Sequence, residues 1–87
     1  MRFEFDPGKS ASNLTKHGID FERAQALWAD ENYLEIPART HDEPRWIVLG
    51  QIEGQVWAAI FTRRRRVIRI ISVRRAREAE ESLYEGT

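Results

Sequence analysis

The sequence predicts an α+β domain in which two N-terminal helices pack on a mostly antiparallel, twisted sheet and a C-terminal helix closes the chain. Three observations lead there. Eighty-seven residues make a single domain, spanning 1–87. Apolar residues recur at helical spacing in the first third of the chain. They alternate from Tyr33 onward, with turn residues at regular intervals.

The elements follow in order. Arg2 to Phe5 alternates, with Phe3 and Phe5 on one side, and reads as a short half-buried strand. Asp6-Pro7 starts a helix, the aspartate as cap and the proline at the first helical position, and Gly18 stands just past its end near His17. Asp20 caps a second helix whose apolar stripe is Phe21, Ala24, Leu27 and Trp28, closing over Ala29 to Asn32. Tyr33 to Ile36 is a strand stopped by Pro37, and Ala38 to Pro44 is polar loop. Arg45 to Ile52 and Gln55 to Thr62 form a hairpin around Glu53-Gly54. Arg63 to Arg65 occupy the next turn. Arg66 to Val73, apolar on both faces, reads as a central strand. Arg75 to Tyr84 is the closing helix, with Ala76, Ala79 and Leu83 inward.

Size and composition exclude several classes. Area scaling gives about 5,300 Å² for a folded chain of this mass, with roughly 64% of the extended surface buried, enough for one small core. A dinucleotide-binding fold or a barrel of eight β/α units does not fit. There is no cysteine, hence no disulfide, thiolate zinc site or cysteine nucleophile. With only His17 and His41 as histidines, the expectation is no metal and no cofactor. The longest apolar run, Val56 to Phe61, is too short to cross a bilayer. The N-terminus lacks the apolar core of a signal peptide, so a cytoplasmic protein without a membrane partner is expected.

The formal charge is zero but unevenly spread. Residues 54–77 hold eight arginines and no acid, whereas residues 20–53 carry eight acids against three bases. Such asymmetry points to an anionic partner, nucleic acid being the commonest. The alternative is internal neutralisation of the basic stretch by the acidic ones.

Two constellations carry chemistry. At 100° per residue, Lys9, Asn13, Lys16 and His17 share one helix sector, with Ala11 and Leu14 opposite, a phosphate-contacting surface or else a solvated face. Arg69 interrupts the apolar run Val67 to Val73, on the face of Val67, Ile71 and Val73 by strict alternation. Buried unpaired, a guanidinium is prohibitively costly, so it reaches a cleft or a carboxylate. Arg45 and Arg74, at strand ends, can converge with it; pairing with Glu78, Glu80 or Glu81 is the structural alternative. Arg63, Arg64, Arg65 and Arg66 form an electrostatic affinity element for polyanions or else a solvated loop, and Glu80 and Tyr84 stand at i and i+4 as a polar patch or a cap on the core edge. Trp28, Trp46 and Trp57 lie on apolar faces and read as core.

Three blocks together resemble one known family. They are Phe5-Asp6-Pro7, Lys9, Asn13, Lys16-His17-Gly18-Ile19, Phe21-Glu22 and Ala24; then Arg45 to Gly50; then Arg69-Ile70-Ile71-Ser72, Arg74, Ala76, Glu80 and Tyr84. In this order they resemble the BrnT toxins of bacterial type II toxin–antitoxin modules. Val73, where the family usually carries a smaller residue, and the very basic arginine turn depart from the pattern. The resemblance implies a RelE-like fold, ribonuclease activity on RNA that stops translation, and neutralisation by a ribbon-helix-helix antitoxin that carries the complex to operator DNA. Metal-independent cleavage by a ribose 2′-OH needs a base, a cation for the phosphorane and an acid for the leaving oxygen. Arg69, Arg45 and Arg74 are the candidate cations. Histidine ordinarily titrates near neutrality, so His17 is the candidate acid or base, with Lys9, Lys16 and Tyr84 as alternates. A non-catalytic subunit of a repressor, binding DNA or an acidic antitoxin segment, is the competing reading.

Overall fold

A computed structural model describes residues 1–39 and 42–86. Thr40 and His41, within the loop expected over Ala38 to Pro44, lie outside the described residues. The elements are β1 (Arg2–Glu4), α1 (Pro7–His17), α2 (Phe21–Ala24) with a 3₁₀ turn at Gln25–Ala29, β2 (Leu34–Ala38), β3 (Arg45–Ile52), β4 (Gln55–Arg64), β5 (Val67–Arg75) and α3 (Glu78–Glu85). The five strands form one mixed sheet in the order β1-β5-β4-β3-β2. β1 runs parallel to β5, and the other three pairings are antiparallel.

Local chemistry explains most boundaries. Asp6 Oδ1 accepts from the amides of Gly8 and Lys9, and Gly18 closes α1 at φ 80°, its N–H donating to the Leu14 carbonyl. Asp20 Oδ1 accepts from Arg23 N at 2.8 Å. The β3–β4 turn places Glu53 at φ 50° and Gly54 at φ 80°, the two consecutive left-handed residues of a tight hairpin.

The sheet is covered on both faces. On one face Phe21, Ala24, Leu27 and Trp28 pack with Val48, Phe61, Ile68, Ile70 and Val73. On the other, Leu49, Val56 and Ala58 pack with Tyr84 of α3. Gly50 lets the 3₁₀ turn approach: a Cβ there would sit 2.9 Å from the Leu27 carbonyl oxygen. Gly50→Ala is therefore expected to cost about 1–3 kcal/mol, as overpacked cores do, measurable as a lowered urea midpoint with an unchanged slope.

Four expectations need correction. The second helix is α-helical only over Phe21–Ala24 and then tightens to 3₁₀. Phe21, Ala24 and Leu27 are spaced by three, a repeat that a three-residue turn keeps on one side. Pro37 does not stop β2 but pairs with Trp46 within it, as proline can on an edge strand. The β4–β5 turn is at Arg65-Arg66, so Arg63 and Arg64 belong to β4. The last helix begins at Glu78, because Arg74 and Arg75 still pair with Ala58 and Trp57 across the ladder.

The most consequential difference is that α1 is turned out of phase with its own hydrophobicity. Ser10 and Asn13 face inward, and Leu14 is 50% exposed. β1 ends at Glu4, opposite Arg69, so β5 beyond that point has no strand neighbour on this side. α1 takes the place of one. Asn13 Oδ1 accepts from Val73 N at 3.2 Å while its Nδ2 donates to the Ile19 carbonyl at 2.8 Å, and Ser10 Oγ accepts from Phe21 N. A helix that must satisfy backbone groups turns polar side chains inward. Asn13 is thus a structural bridge between α1, Ile19 and β5.

Candidate functional site

Strict alternation puts Arg69 and Arg74 on opposite faces of β5. The β4–β5 ladder contains a register shift: Phe61 faces Ile70 but Ile60 faces Ser72, so Ile71 is an extra, bulged residue. The bulge reverses the alternation. Ile70 and Val73 both enter the core cluster under α2, and Arg69, Ser72 and Arg74 share the opposite face. Arg69 therefore does not share a face with Val73, as simple alternation predicts.

A row of side chains crosses the sheet at this level. Glu4 pairs with Arg69, and Arg69 with Thr62. One step beyond the Trp46–Phe61 pair, Arg45 stands beside Thr62, whose Oγ1 donates to the Pro44 carbonyl at 2.7 Å. Arg45 and Arg69 are two strands apart, roughly 10 Å between backbones. Arg45 is exposed and makes no ion pair among the described residues.

Arg69 Nη1 donates to Glu4 Oε2 at 2.7 Å, with the side chains 33% and 41% exposed. The expected partners for structural pairing were α3 glutamates; for Arg69 the partner is the β1 carboxylate instead. Arg74 does meet α3. Its fork donates to both oxygens of Glu80, at 2.7 and 2.9 Å, and Glu80 Oε1 also accepts from Arg77 N. These bonds, the one from Arg74 foremost, outweigh burial and hold the Glu80 carboxyl below its usual pKa, while Glu80 raises that of Arg74.

Tyr84 is buried, and its hydroxyl donates to Asp30 Oδ2 at 2.5 Å, which also accepts from Gln51 N. The bond to Asp30 and burial push the phenol up to about 12. Burial raises the Asp30 carboxyl, but hydrogen bonds from Tyr84, Asn32 N and Gln51 N outweigh it and the net shift is downward. Tyr84 anchors α3 to the segment before β2.

These shifts fix the pH dependence of stability. A group with a lowered folded pKa contributes fully above its unfolded value and loses that contribution as pH falls; a raised phenol does the reverse. The Glu80 contribution is complete above about pH 4.5 and disappears on acidification, whereas that of Tyr84 fades as pH climbs from 10 towards 12. Glu80→Gln is expected to lower the urea midpoint at pH 7 and to flatten its fall between pH 5 and 3.

α1 provides a wall beside β5. Lys9, Ser12, Asn13, Lys16 and His17 line a cavity of about 210 Å³ with Phe21 and with Ile71 and Ser72 of β5. Ser72 belongs to the face of Arg69 and Arg74 and is the residue by which this cavity meets that face. Lys16 and His17 also occupy the last turn of α1, where positive charge complements the helix dipole. A larger cavity of about 460 Å³ lies by Tyr84, but its lining of Asn32, Gln51, Gln55, Glu81 and Glu85 does not suit a polyanion.

The arginine turn divides in two. Arg63 donates to Glu35 at 2.6 Å and lies over the rings of Phe61 and Trp46, while Trp28 Nε1 donates to the same carboxylate. Arg64 lies 3.5 Å from Glu43. Arg65 and Arg66 make no ion pair among the described residues. Trp28 is buried in the core, as expected, and Trp46 and Trp57 pack against it half-buried. Sequence reading missed Glu4; its only signal was the parallel strand pairing that puts it beside Arg69.

Fold and site together define a small α+β protein whose mixed sheet carries Arg45, Arg69 and Arg74 on one face, the last two paired with Glu4 and Glu80. The chain belongs to the BrnT family: the family model described as "Ribonuclease toxin, BrnT, of type II toxin-antitoxin system" matches residues 5–80. It is thus a ribonuclease toxin by family, with RNA as substrate class and an antitoxin as partner. A search of curated proteins finds no match to the chain. Among the described residues no helix is long and apolar enough to cross a membrane.

Proposed function

We propose that this protein is a cytoplasmic, RelE-like endoribonuclease that cuts RNA without a metal ion, stops translation, and is silenced by a ribbon-helix-helix antitoxin through which the complex reaches operator DNA. The observation that carries this reading is the bulge at Ile71, which sets Arg69 on the same strand face as Ser72, beside the α1 wall of Lys9, Lys16 and His17. Donors of this kind suit phosphate oxygens.

In the proposed reaction a ribose 2′-OH attacks the adjacent phosphorus, its proton passes to a base, and the 5′-oxygen leaves as an alcohol after protonation. The product is a 2′,3′-cyclic phosphate. Arg69 and Arg45 stabilise the phosphorane charge. His17 exchanges the proton, and Lys9 and Lys16 hold flanking phosphates. Arg74, already met by Glu80, braces α3 on β5, and Tyr84 serves as a second brace instead of a catalyst.

The test is cleavage of end-labelled RNA by antitoxin-free protein in EDTA, with and without ribosomes. Cyclic-phosphate ends in the presence of EDTA are expected. RNA that is bound and never cut under either condition would favour the repressor-subunit reading.

Arg65 and Arg66 act through their field. Arg65→Gln with Arg66→Gln is expected to weaken RNA binding chiefly at low salt and to lower the salt slope by about 0.7 for each phosphate that is no longer neutralised. Arg63→Gln, which breaks the Glu35 pair, is expected to show mainly as reduced stability. Binding titrations between 50 and 300 mM salt, on the order of the range where such slopes are resolved, separate the two.

A further inference from the structure

We propose that a second cavity, at the end of β5 around Trp57 and Arg75, is a subsite that holds one nucleobase of single-stranded RNA; it rests on the ribonuclease reading and adds a base-reading element to it. The cavity measures about 310 Å³, and Ile19, Ile52 and the Trp57 ring supply its apolar surfaces. Ile19 and Ile52 are buried and Trp57 half-buried, so the ring is fixed in place. The Arg75 guanidinium lies 5.8 Å from the centre of the Trp57 ring, and its Nη2 donates to Gln55 Oε1 at 2.9 Å.

Arg75 makes no ion pair among the described residues, unlike Arg74 beside it. A stacked, exposed and uncompensated guanidinium beside an indole is the surface on which unpaired bases stack. The rim carries hydrogen-bonding groups for a base edge. Glu53, in the β3–β4 turn, is joined to Arg23 at 3.3 Å, and Gln55 lines the same cavity.

Its position fits a continuous strand path. Gly18 lines this cavity and His17 the α1–β5 cavity, so the two adjoin at the end of α1. Along β5, Ser72 and Arg75 are about 10 Å apart at the usual strand rise and lie on opposite faces, so the path crosses the β5 edge at the end of α1. A strand whose phosphate lies by Ser72 and His17 passes over Gly18, a residue without a side chain, and lays a neighbouring base against Arg75 and Trp57.

The probe is a set of four homohexaribonucleotides with 2′-O-methyl groups, which lack the attacking hydroxyl and bind uncut. Affinity is measured for the native protein and for Arg75→Gln, Trp57→Leu and Trp57→Tyr. Arg75→Gln and Trp57→Leu are expected to weaken affinity about tenfold, the scale of one missing stack, and to narrow the spread among the four bases. Trp57→Leu is expected to do so with an unchanged salt slope, and Trp57→Tyr to retain most binding. Should Trp57→Leu fail to fold, the exposed Arg75→Gln decides. Native-like affinity and base preference in Arg75→Gln, with RNA still cut by the native protein, overturns this subsite alone. Loss of antitoxin affinity with RNA binding untouched also overturns it, assigning the cavity to the protein partner. A native protein that neither binds the hexamers nor cuts RNA overturns the ribonuclease reading beneath it.

Discussion

Arg69→Ala is expected to reduce RNA cleavage by about a hundred- to a thousandfold, the scale seen when one preorganised donor to a developing oxyanion is removed. The protein is expected to stay folded. Arg69 and Glu4 are each only part-buried, so loss of their pair removes an ion pair still wetted by solvent. The comparison is cleavage rate, thermal midpoint and antitoxin affinity on the same preparation. A large fall in rate with the other two preserved places Arg69 at the reacting phosphate. Undiminished cleavage at equal concentration would remove it from the site, and insolubility would make it structural. Glu4→Gln is a useful companion: it keeps a hydrogen bond to Arg69 while removing the negative charge that faces incoming phosphate.

The second large effect concerns stability. Asn13→Ala is expected to cost about 2–4 kcal/mol, because it strips the partners from the Val73 amide and the Ile19 carbonyl at once. At ~4–8 °C per kcal/mol for a domain of this size, the melting midpoint falls by roughly 8–32 °C. Asn13 is 7% exposed and borders the cavity between α1 and β5. Asn13→Asp keeps an acceptor for Val73 N but offers no donor to Ile19, so it too is expected to melt early. Calorimetry at pH 7 measures both. A change of only a degree or two would mean that the edge of β5 finds another partner. RNA affinity, measured well below the new midpoint, is expected to stay near that of the native protein, which separates this asparagine from its neighbours Lys9 and Lys16.

The contrast between Asn13 and Arg69 marks how far residue patterns reach. Capping residues, the Glu53-Gly54 turn and two-residue alternation were readable because each acts over a few neighbours. That is why α1, β3 and the central place of β5 follow from the chain alone. The inward face of α1 was not readable, since hydrophobicity favours Leu14 and the demand for Asn13 comes from a strand sixty residues away. The bulge at Ile71 was not readable either: one inserted residue leaves composition and propensity unchanged while it exchanges the two faces of everything after it. The cationic candidates were visible as residue types. Their sorting into Arg45 without an ion pair among the described residues, Arg63, Arg69 and Arg74 each held by a carboxylate, and Tyr84 tied to Asp30 required the partners to be seen.

The parallel pairing of β1 with β5 also orders events in time. Glu4 leaves the ribosome near the start of synthesis, and Arg69 follows 65 residues later. The β3–β4–β5 meander has short connections and closes quickly, whereas the β1–β5 pair must bring together chain segments nearly a full length apart, the slow kind of pairing. Glu4 and the residues of α1 thus wait, made but unpositioned, until β5 has emerged. A nascent or truncated chain ending before Val67 carries His17, Lys9 and Lys16 with no floor beneath them. RNA cleavage by a chain ending before Val67, which lacks Arg69 and Ser72, is expected to be absent.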